Sequence, residues 1–351
     1  MIISRTPFRI SFFGGGTDYP DWYLKNGGQV LATTINKYCY ITCRYLPPFF
    51  DHKYRVVYSR TELCKSPDEI IHPAVREVLN FLRCKNGLEI HYDGDLPARS
   101  GIGSSSTFTV GLLHALYALQ GRMPSKHQLA TESIHIEQNI LKETVGSQDQ
   151  ISAAYGGFNH IQFMKNGEIH VRPMTLSSDF IHEFNLHLML FYTGIYRTAE
   201  DVAKSYVNDI ESKNKQLVLI EQMVNEAISI LTSQRSLFSF GELLHEAWLV
   251  KRSLSNLVSN SKIDEIYNTA ITAGAIGGKL SGAGGGGFIF LFVPPEKQKE
   301  VKSKLSNLIQ VPFKVEFYGS QIIFHDPQEE YFELEKEREC RPIESFKELK
   351  F

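Results

Sequence analysis

The stretch DLPARSGIGSSSTFTVGLLHAL, residues 95–116, sets Gly101, Gly103 and a run of serines directly ahead of an apolar segment. Phe108, Leu112, Ala115, Leu116 and Leu119 recur at close to 3.6-residue spacing, which predicts a helix buried on one face. The spacing starts that helix near Ser104–Ser106, where a serine suits the N-cap. A helix start leaves N–H groups without intrahelical partners and carries positive dipole potential. Glycines just upstream let an oxyanion reach that backbone without meeting a Cβ. Phosphate is the usual ligand of such a place, and serine hydroxyls can also ligate Mg²⁺. A well-capped helix after a loop would use the same residues, but this loop is longer than a cap requires. It is not a Walker A loop, because no lysine follows the second glycine.

Three further stretches carry residue types suited to chemistry. KLSGAGGGGFIFLF, residues 279–292, contains Gly282-x-Gly284-x-x-Gly287. That is formally a dinucleotide fingerprint, but it follows a helix and opens a strand, the reverse of what the fingerprint needs, so NAD is excluded. Consecutive glycines cost roughly 0.5–1 kcal/mol each relative to alanine. They are therefore read as a close approach to a ligand or to the other glycine loop, against the alternative of a flexible connection. PFRISFFGGGTDYP, residues 7–20, ends an expected strand in three glycines followed by Thr17-Asp18. Asp18 could accept from two vicinal hydroxyls of a sugar, or cap a turn before Trp22–Leu24. Arg9 lies within that strand, as a surface charge or a site residue. HIEQNILKETVGSQDQISAAYGG, residues 135–157, carries Glu137 late in an amphipathic helix and Asp149 after a break at Gly146. Carboxylates flanked by apolar and small residues suit metal binding or base work.

Taken in order, Pro-x-Arg…Gly-Gly-Gly-Thr-Asp, Pro-x-x-x-Gly-Ile-Gly-Ser-Ser-Ser, Gly-Ser-Gln-Asp-Gln and Lys-x-Ser-Gly-Ala-Gly-Gly-Gly-Gly resemble the GHMP kinase superfamily and span residues 7 to 287. The first and third motifs look most like a branch that phosphorylates the anomeric oxygen of a sugar phosphate. The resemblance implies that Pro97, Ser100, Gly101, Ile102, Gly103, Ser104, Ser105 and Ser106 hold the phosphates of ATP. It implies Ser105 and Glu137 as Mg²⁺ ligands, Asp149 as the catalytic carboxylate and Arg9 as its basic companion. It places Gly15, Gly16, Thr17 and Asp18 on the acceptor, and Ser281, Gly282, Gly284 and Gly285 near both phosphates and acceptor. Gly15-Gly16 stand where galactokinase-like members carry Glu-His. That departure speaks against galactokinase activity and opens room for a larger, phosphorylated acceptor. Arg9 stands where mevalonate-type members carry lysine. An acceptor phosphate needs cations, and guanidinium binds phosphate bidentately. Arg44, Arg55, Arg99, Arg172 and Arg197 are candidates, with Arg197 first because it follows an expected strand end.

These loops need elements to hold them. Ile2–Phe13 reads as a strand broken at Pro7, Val30–Tyr45 as one or two strands, Lys53–Ser59 and Gly87–Asp93 as strands, and His72–Arg83 as a helix. A helix is expected from Ser125 to about Leu141. Phe158–Met164 and Ile169–Met174 flank Asn166-Gly167, a hairpin signal. Phe184–Tyr192 is expected as a strand, residues 198–260 as helices, Ile263–Ile276 as a helix, Phe288–Val293 and Phe313–Tyr318 as strands with a helical Val301–Leu308 between them. The texture turns from strand-rich to helix-rich near 175–185. This predicts an α+β chain with a first domain over 1–178, a second over 179–328, and a charged tail or terminal helix over 329–351. The resemblance implies a ribosomal-S5-domain-2-like N-terminal half, a ferredoxin-like C-terminal half and ATP in the cleft between them. The 351 residues are 42% hydrophobic and 22% charged with net charge −2. No basic excess points to nucleic acid and no polybasic face or long apolar run to a membrane. The opening residues lack the pattern of a signal peptide. Five scattered cysteines, with no Cys-x-x-Cys, suggest neither zinc nor disulfides and fit a reducing cytoplasm. The expected partners are ATP and a small sugar phosphate, in a monomer or homodimer.

Overall fold

β1 (Ile2–Phe13) and β2 (Gly28–Tyr45) are the longest strands, built from runs of β-branched and aromatic residues that suit a pleated, covered surface. The computed structural model describes all residues except 99, 196–198, 234–235, 328–329 and 341–351. The other strands are β3 (Tyr54–Val57), β4 (Thr61–Cys64), β5 (Leu88–Gly94), β6 (Phe158–Phe163), β7 (Ile169–Pro173), β8 (Leu188–Tyr192), β9 (Gly277–Leu280), β10 (Phe288–Phe292), β11 (Ile309–Gln310), β12 (Val315–Glu316) and β13 (Gln321–His325). The α-helices are α1 (Pro20–Asn26), α2 (Pro73–Phe81), α3 (Ser104–Leu119), α4 (Lys126–His135), α5 (Gln148–Tyr155), α6 (Ser178–Leu186), α7 (Ala199–Val207), α8 (Asn214–Thr232), α9 (Leu237–Arg252), α10 (Ser261–Thr272), α11 (Gln298–Lys304) and α12 (Phe332–Cys340).

One sheet runs β13-β1-β2-β5-β3-β4, with β6 and β12 also paired to β2 and β7 to β6. The second runs β11-β8-β10-β9 and is antiparallel throughout. The fold is the two-part α+β arrangement expected, and α3, α4 and α5 pack together on the β1–β2 side of the first sheet. Phe12 of β1 joins the halves. Its ring lies 5.3 Å from Phe158, 5.6 Å from Phe184, 5.6 Å from Phe240 and 5.4 Å from Phe290. Edge-to-face packing of this kind adds to the area that it buries.

Several expectations change. Residues 184–186 belong to α6 rather than to the start of a strand, because Ser177 caps that helix by accepting from the Phe180 N–H at 3.2 Å. α10 ends at Thr272, short of the expected Ile276, and β9 then opens at the Gly277-Gly278 pair. The tetraglycine therefore joins two strands, β9 and β10, rather than a helix and a strand. The chain also returns late: β12 and β13 pair with β2 and β1, so residues 315–325 complete the first sheet rather than the second. The hairpin β6–β7 turns at Asn166-Gly167 as read, with Gly167 at φ +88. The charged terminus forms α12 as far as Cys340, and Glu335 of that helix accepts from the Gly87 N–H at 2.8 Å.

Candidate active site

Gly103, not a serine, is the N-cap of α3. It sits at φ +76, a left-handed conformation that would strain any residue with a Cβ, and no side chain caps the helix. The first intrahelical bond runs from the Thr107 N–H to the Gly103 carbonyl at 2.9 Å. The amides ahead of it belong to the serine run. Gly101 (φ +83) precedes it, and the Ile102 carbonyl accepts from the Arg9 N–H at 3.2 Å, so the loop is tied to β1. Ser105 is exposed, while Ser104 and Ser106 are buried. Three residues expected on phosphate are engaged elsewhere. The Ser100 hydroxyl donates to the Pro97 carbonyl at 2.6 Å, the Ser100 carbonyl accepts from the Phe288 N–H, and Ile102 is fully buried in the core.

Arg9 and Asp149 meet across 140 residues of chain. The guanidinium donates from Nε to Oδ1 at 2.7 Å and from Nη2 to Oδ2 at 2.6 Å, and from Nη1 to the Gly101 carbonyl at 2.9 Å. The Arg9 side chain is 4% exposed and that of Asp149 23%, so the carboxylate is the more open part of the pair. A Cβ on Gly103 would stand 3.3 Å from both Arg9 Cγ and Asp149 Oδ2. The pair therefore lies directly against the helix start, and both sequence-derived residues are brought together with the loop.

The Gly14–Asp18 turn divides in two. Thr17 faces inward: its hydroxyl donates toward the Gly14 and Gln29 carbonyls at 2.8 and 2.9 Å, which fixes the turn to β2 and corrects its expected acceptor role. Asp18 is 1% exposed and accepts from the Gly16 N–H at 2.9 Å and the Gln148 N–H at 3.3 Å. It fastens the turn to the start of α5 instead of capping the turn before Trp22–Leu24, since the N-cap of α1 is Tyr19 and no side chain caps that helix. Burial raises its pKa above the usual carboxylate range. A Cβ on Gly15 would be in ordinary contact with Ser11 Oγ at 3.5 Å and Gln148 Nε2 at 3.6 Å, and one on Gly16 (φ +113) would stand 3.1 Å from Leu217 Cδ2, so the turn is lined by side chains and does not open the room expected of it. Ser11 Oγ and Gln148 Oε1 are buried with no partner among the described residues.

Glu137 lies in a single π-turn, Ile136–Ile140, at the end of α4. It is fully buried, accepts from Ser106 at 2.7 Å, Thr109 at 2.8 Å and Gln150 Nε2, and burial pushes its pKa up to about 7 despite these donors. Ser106 thus takes the place at Glu137 that was expected of Ser105. Ser106 and Thr109, three residues apart on α3, share the face toward Glu137. As a donor set, an oxygen-rich cluster around a buried carboxylate without a counter-charge fits a hard divalent cation.

The two glycine loops interlock backbone to backbone. A Cβ on Gly101 would stand 2.6 Å from the Ser281 carbonyl, and one on Gly282 (φ +67) 2.7 Å from the Gly101 carbonyl. Gly284 and Gly285 turn to another neighbour. Gly284 abuts Val258 between α9 and α10, and the Gly285 N–H donates to the Val258 carbonyl at 2.9 Å. Two buried lysines to which sequence reasoning gave no role stand behind this seam: Lys251 Nζ donates to the Gly282 carbonyl, and Lys279 Nζ to the Phe12 carbonyl at 3.1 Å. A signal for Lys251 existed, since Leu244, Trp248 and Lys251 follow the buried stripe of α9 at helical spacing.

The arginine candidates separate. Arg44 and Arg55 both pair with Glu89, at 2.5 and 3.0 Å, and together with His91 they hold its pKa down at about 2 against the opposing effect of burial. Both are withdrawn as acceptor contacts. Arg172 is exposed on β7, and Arg99 and Arg197 lie outside the described residues.

Residues 69–157 match the GHMP kinases N terminal domain, and residues 229–309 the GHMP kinases C terminal domain. The chain is 30% identical to a D-glycero-alpha-D-manno-heptose 7-phosphate kinase of Campylobacter jejuni, over 85% of this chain and 91% of that protein. It is 26% identical, over 88% of its length, to 31% of a bifunctional fucokinase/GDP-fucose pyrophosphorylase of Arabidopsis thaliana. In structure it is similar to a D-glycero-D-manno-heptose 1-phosphate kinase from Bacteriodes thetaiotaomicron, with TM-score 0.77 and 23% identity over 93% of this chain and 100% of that one.

Proposed function

The chain belongs to the GHMP kinase family of ATP-dependent kinases, and from that premise we propose that it phosphorylates the anomeric hydroxyl of D-glycero-D-manno-heptose 7-phosphate, giving the 1,7-bisphosphate. Sugar kinase activity follows from the family together with its heptose and fucose kinase relatives. The choice of sugar rests on the heptose kinase relative and on Gly15-Gly16 standing where galactokinase-like members carry Glu-His. The product would feed nucleotide-activated heptose synthesis.

The observation that carries the reading is the Arg9–Asp149 pair set against the α3 start. Phosphoryl transfer asks mainly for positioning and charge neutralisation. The nucleotide phosphates would lie on the Gly101–Ser106 backbone, with Ser281 and Gly282 closing over them. The anomeric hydroxyl would face the γ-phosphate in line, beside Asp149. Its proton passes to the Asp149 carboxylate as the new O–P bond forms and the bond to the leaving ADP oxygen breaks. Arg9 holds that carboxylate in one orientation. Glu137 and the Ser106 hydroxyl, which donates to it at 2.7 Å, would hold Mg²⁺, which when bound neutralises phosphate charge.

The test is product analysis by ³¹P NMR with ATP and heptose 7-phosphate. A second phosphorus signal with anomeric coupling is expected, and no turnover of this sugar would overturn the assignment. The fucokinase relative favours a second reading, an unphosphorylated sugar such as L-fucose as acceptor. Parallel assays with the dephosphorylated heptose and L-fucose separate the two. A non-catalytic sensor would consume no ATP in a single-turnover assay.

A further inference from the structure

Lys251 and Lys279 stand out because, among the described residues, no ion pair neutralises either of them. Lys251 is 6% exposed and Lys279 5%. Each ammonium spends one donor on a backbone carbonyl, Gly282 and Phe12 respectively. The charged groups facing them are Arg9, Asp18 and Asp149. Asp149 is bound bidentately by Arg9, and Asp18 accepts two backbone N–H groups. Three cations thus share a buried region with two carboxylates that are already engaged. Burying an ammonium without a counter-ion is costly, so the arrangement calls for an anion from outside.

The place is defined by backbone contacts. Lys251 holds the carbonyl of Gly282, Gly282 packs on Gly101, and the Gly101 carbonyl accepts from Arg9. Lys279 and Ser281 alternate along extended chain at the end of β9 and so share a face. Ser281 is 4% exposed and its Oγ lacks a partner among the described residues, a further donor without an acceptor. We propose that Lys251, Lys279 and Ser281 form an anion seat for a phosphate group on the acceptor side of the seam between the two glycine loops. This rests on the reading that the Gly101–Ser106 loop holds nucleotide phosphates. The phosphate comes either from the nucleotide, as the group in transfer, or from the acceptor, as the phosphate that it already carries. Burial and the neighbouring cations bring the Lys251 pKa down to about 8 and that of Lys279 well below the ordinary lysine range. An anion would reverse that trend.

The test uses Lys251→Met and Lys279→Met, which keep length and apolar bulk but remove the charge. Inorganic phosphate is the first probe, since it needs no sugar. It should raise the melting temperature of the wild type, and that rise should vanish in both variants while their own melting temperatures hold or increase. Steady-state rates with ATP then identify the source. An equal drop of about 100-fold in kcat/KM with phosphorylated and unphosphorylated sugars assigns the seat to the group in transfer. A drop of that size only with the phosphorylated sugar assigns it to the acceptor. Phosphate protection that survives in the variants, or wild-type kcat/KM with both sugars, would overturn the proposal. So would variants that melt earlier and still bind phosphate, which marks the lysines as structural. Because the phosphate arm is independent of the sugar, a wrong choice of heptose leaves it readable.

Discussion

Arg9 spends its guanidinium on two partners at once: a forked pair with Asp149 and a single bond to the Gly101 carbonyl. One side chain thereby sets the distance between the candidate base and the phosphate loop. Glu137 presents the opposite case, a carboxylate whose three donors do not offset its burial. Its pKa in the folded chain is about 7, above the ordinary 4.5. A carboxyl raised by folding contributes stability that is fully present below the unfolded value and lost as pH rises through the folded one. Stability should therefore fall between about pH 5 and about pH 8, by up to about 3 kcal/mol from this group. Glu137→Gln should match the wild type near the acid end of that window and exceed it near the alkaline end. Urea denaturation at the two pH values checks this, and equal differences at both would show that Glu137 does not titrate there.

At the scale of elements, the seam between the Gly101 loop and the Ser281–Gly287 loop explains why both are glycine-rich. Neither can carry a Cβ at the crossing without striking the other backbone. Gly282→Ala puts a methyl group 2.7 Å from the Gly101 carbonyl at a left-handed φ of +67. The expected cost is ~1–3 kcal/mol of stability, with a loss of kinase activity larger than the loss of folded protein because the phosphate loop shifts with it. Thermal melts and ATP consumption on the same samples separate the two. Gly287 closes the same seam at its other end, where the Phe288 N–H donates to the Ser100 carbonyl at 3.2 Å. The π-turn that carries Glu137 and the start of α5 that carries Asp149 are likewise held from outside, by α3 and by Asp18.

Across the whole molecule, the two sheets share one aromatic cluster. Phe12 and Phe158 belong to the first half, and Phe184, Phe240, Phe290 and Phe292 to the second. The late return of β12 and β13 adds a second tie. Halves bound in this way should unfold together. Calorimetry should show one transition, and Phe240→Ala, which removes a fully buried ring in contact with both halves, should cost ~3–5 kcal/mol without splitting it. Two resolved transitions would show that the halves fold independently. Among the described residues, no helix is long and apolar enough to cross a membrane.

The amino-acid sequence by itself determined the glycine loops, the helix that opens at Ser104, the hairpin at Asn166-Gly167 and the order of motifs that marks the family. These are local rules: periodicity, φ freedom and turn chemistry act over a few residues. It offered Asp149 as a site carboxylate from its own surroundings but joined it to Arg9 only through resemblance, because their pairing spans 140 residues and depends on β1 lying beside α5. Tertiary structure alone decided that Ser106 and Thr109, rather than Ser105, meet Glu137, since helix phase relative to a neighbour is set by packing. It decided that Thr17 turns inward and that Arg44 and Arg55 are consumed by Glu89. It also brought Lys251, from the second half, against a glycine carbonyl beside the phosphate loop, a position fixed by how two distant elements dock and by no feature of either one alone.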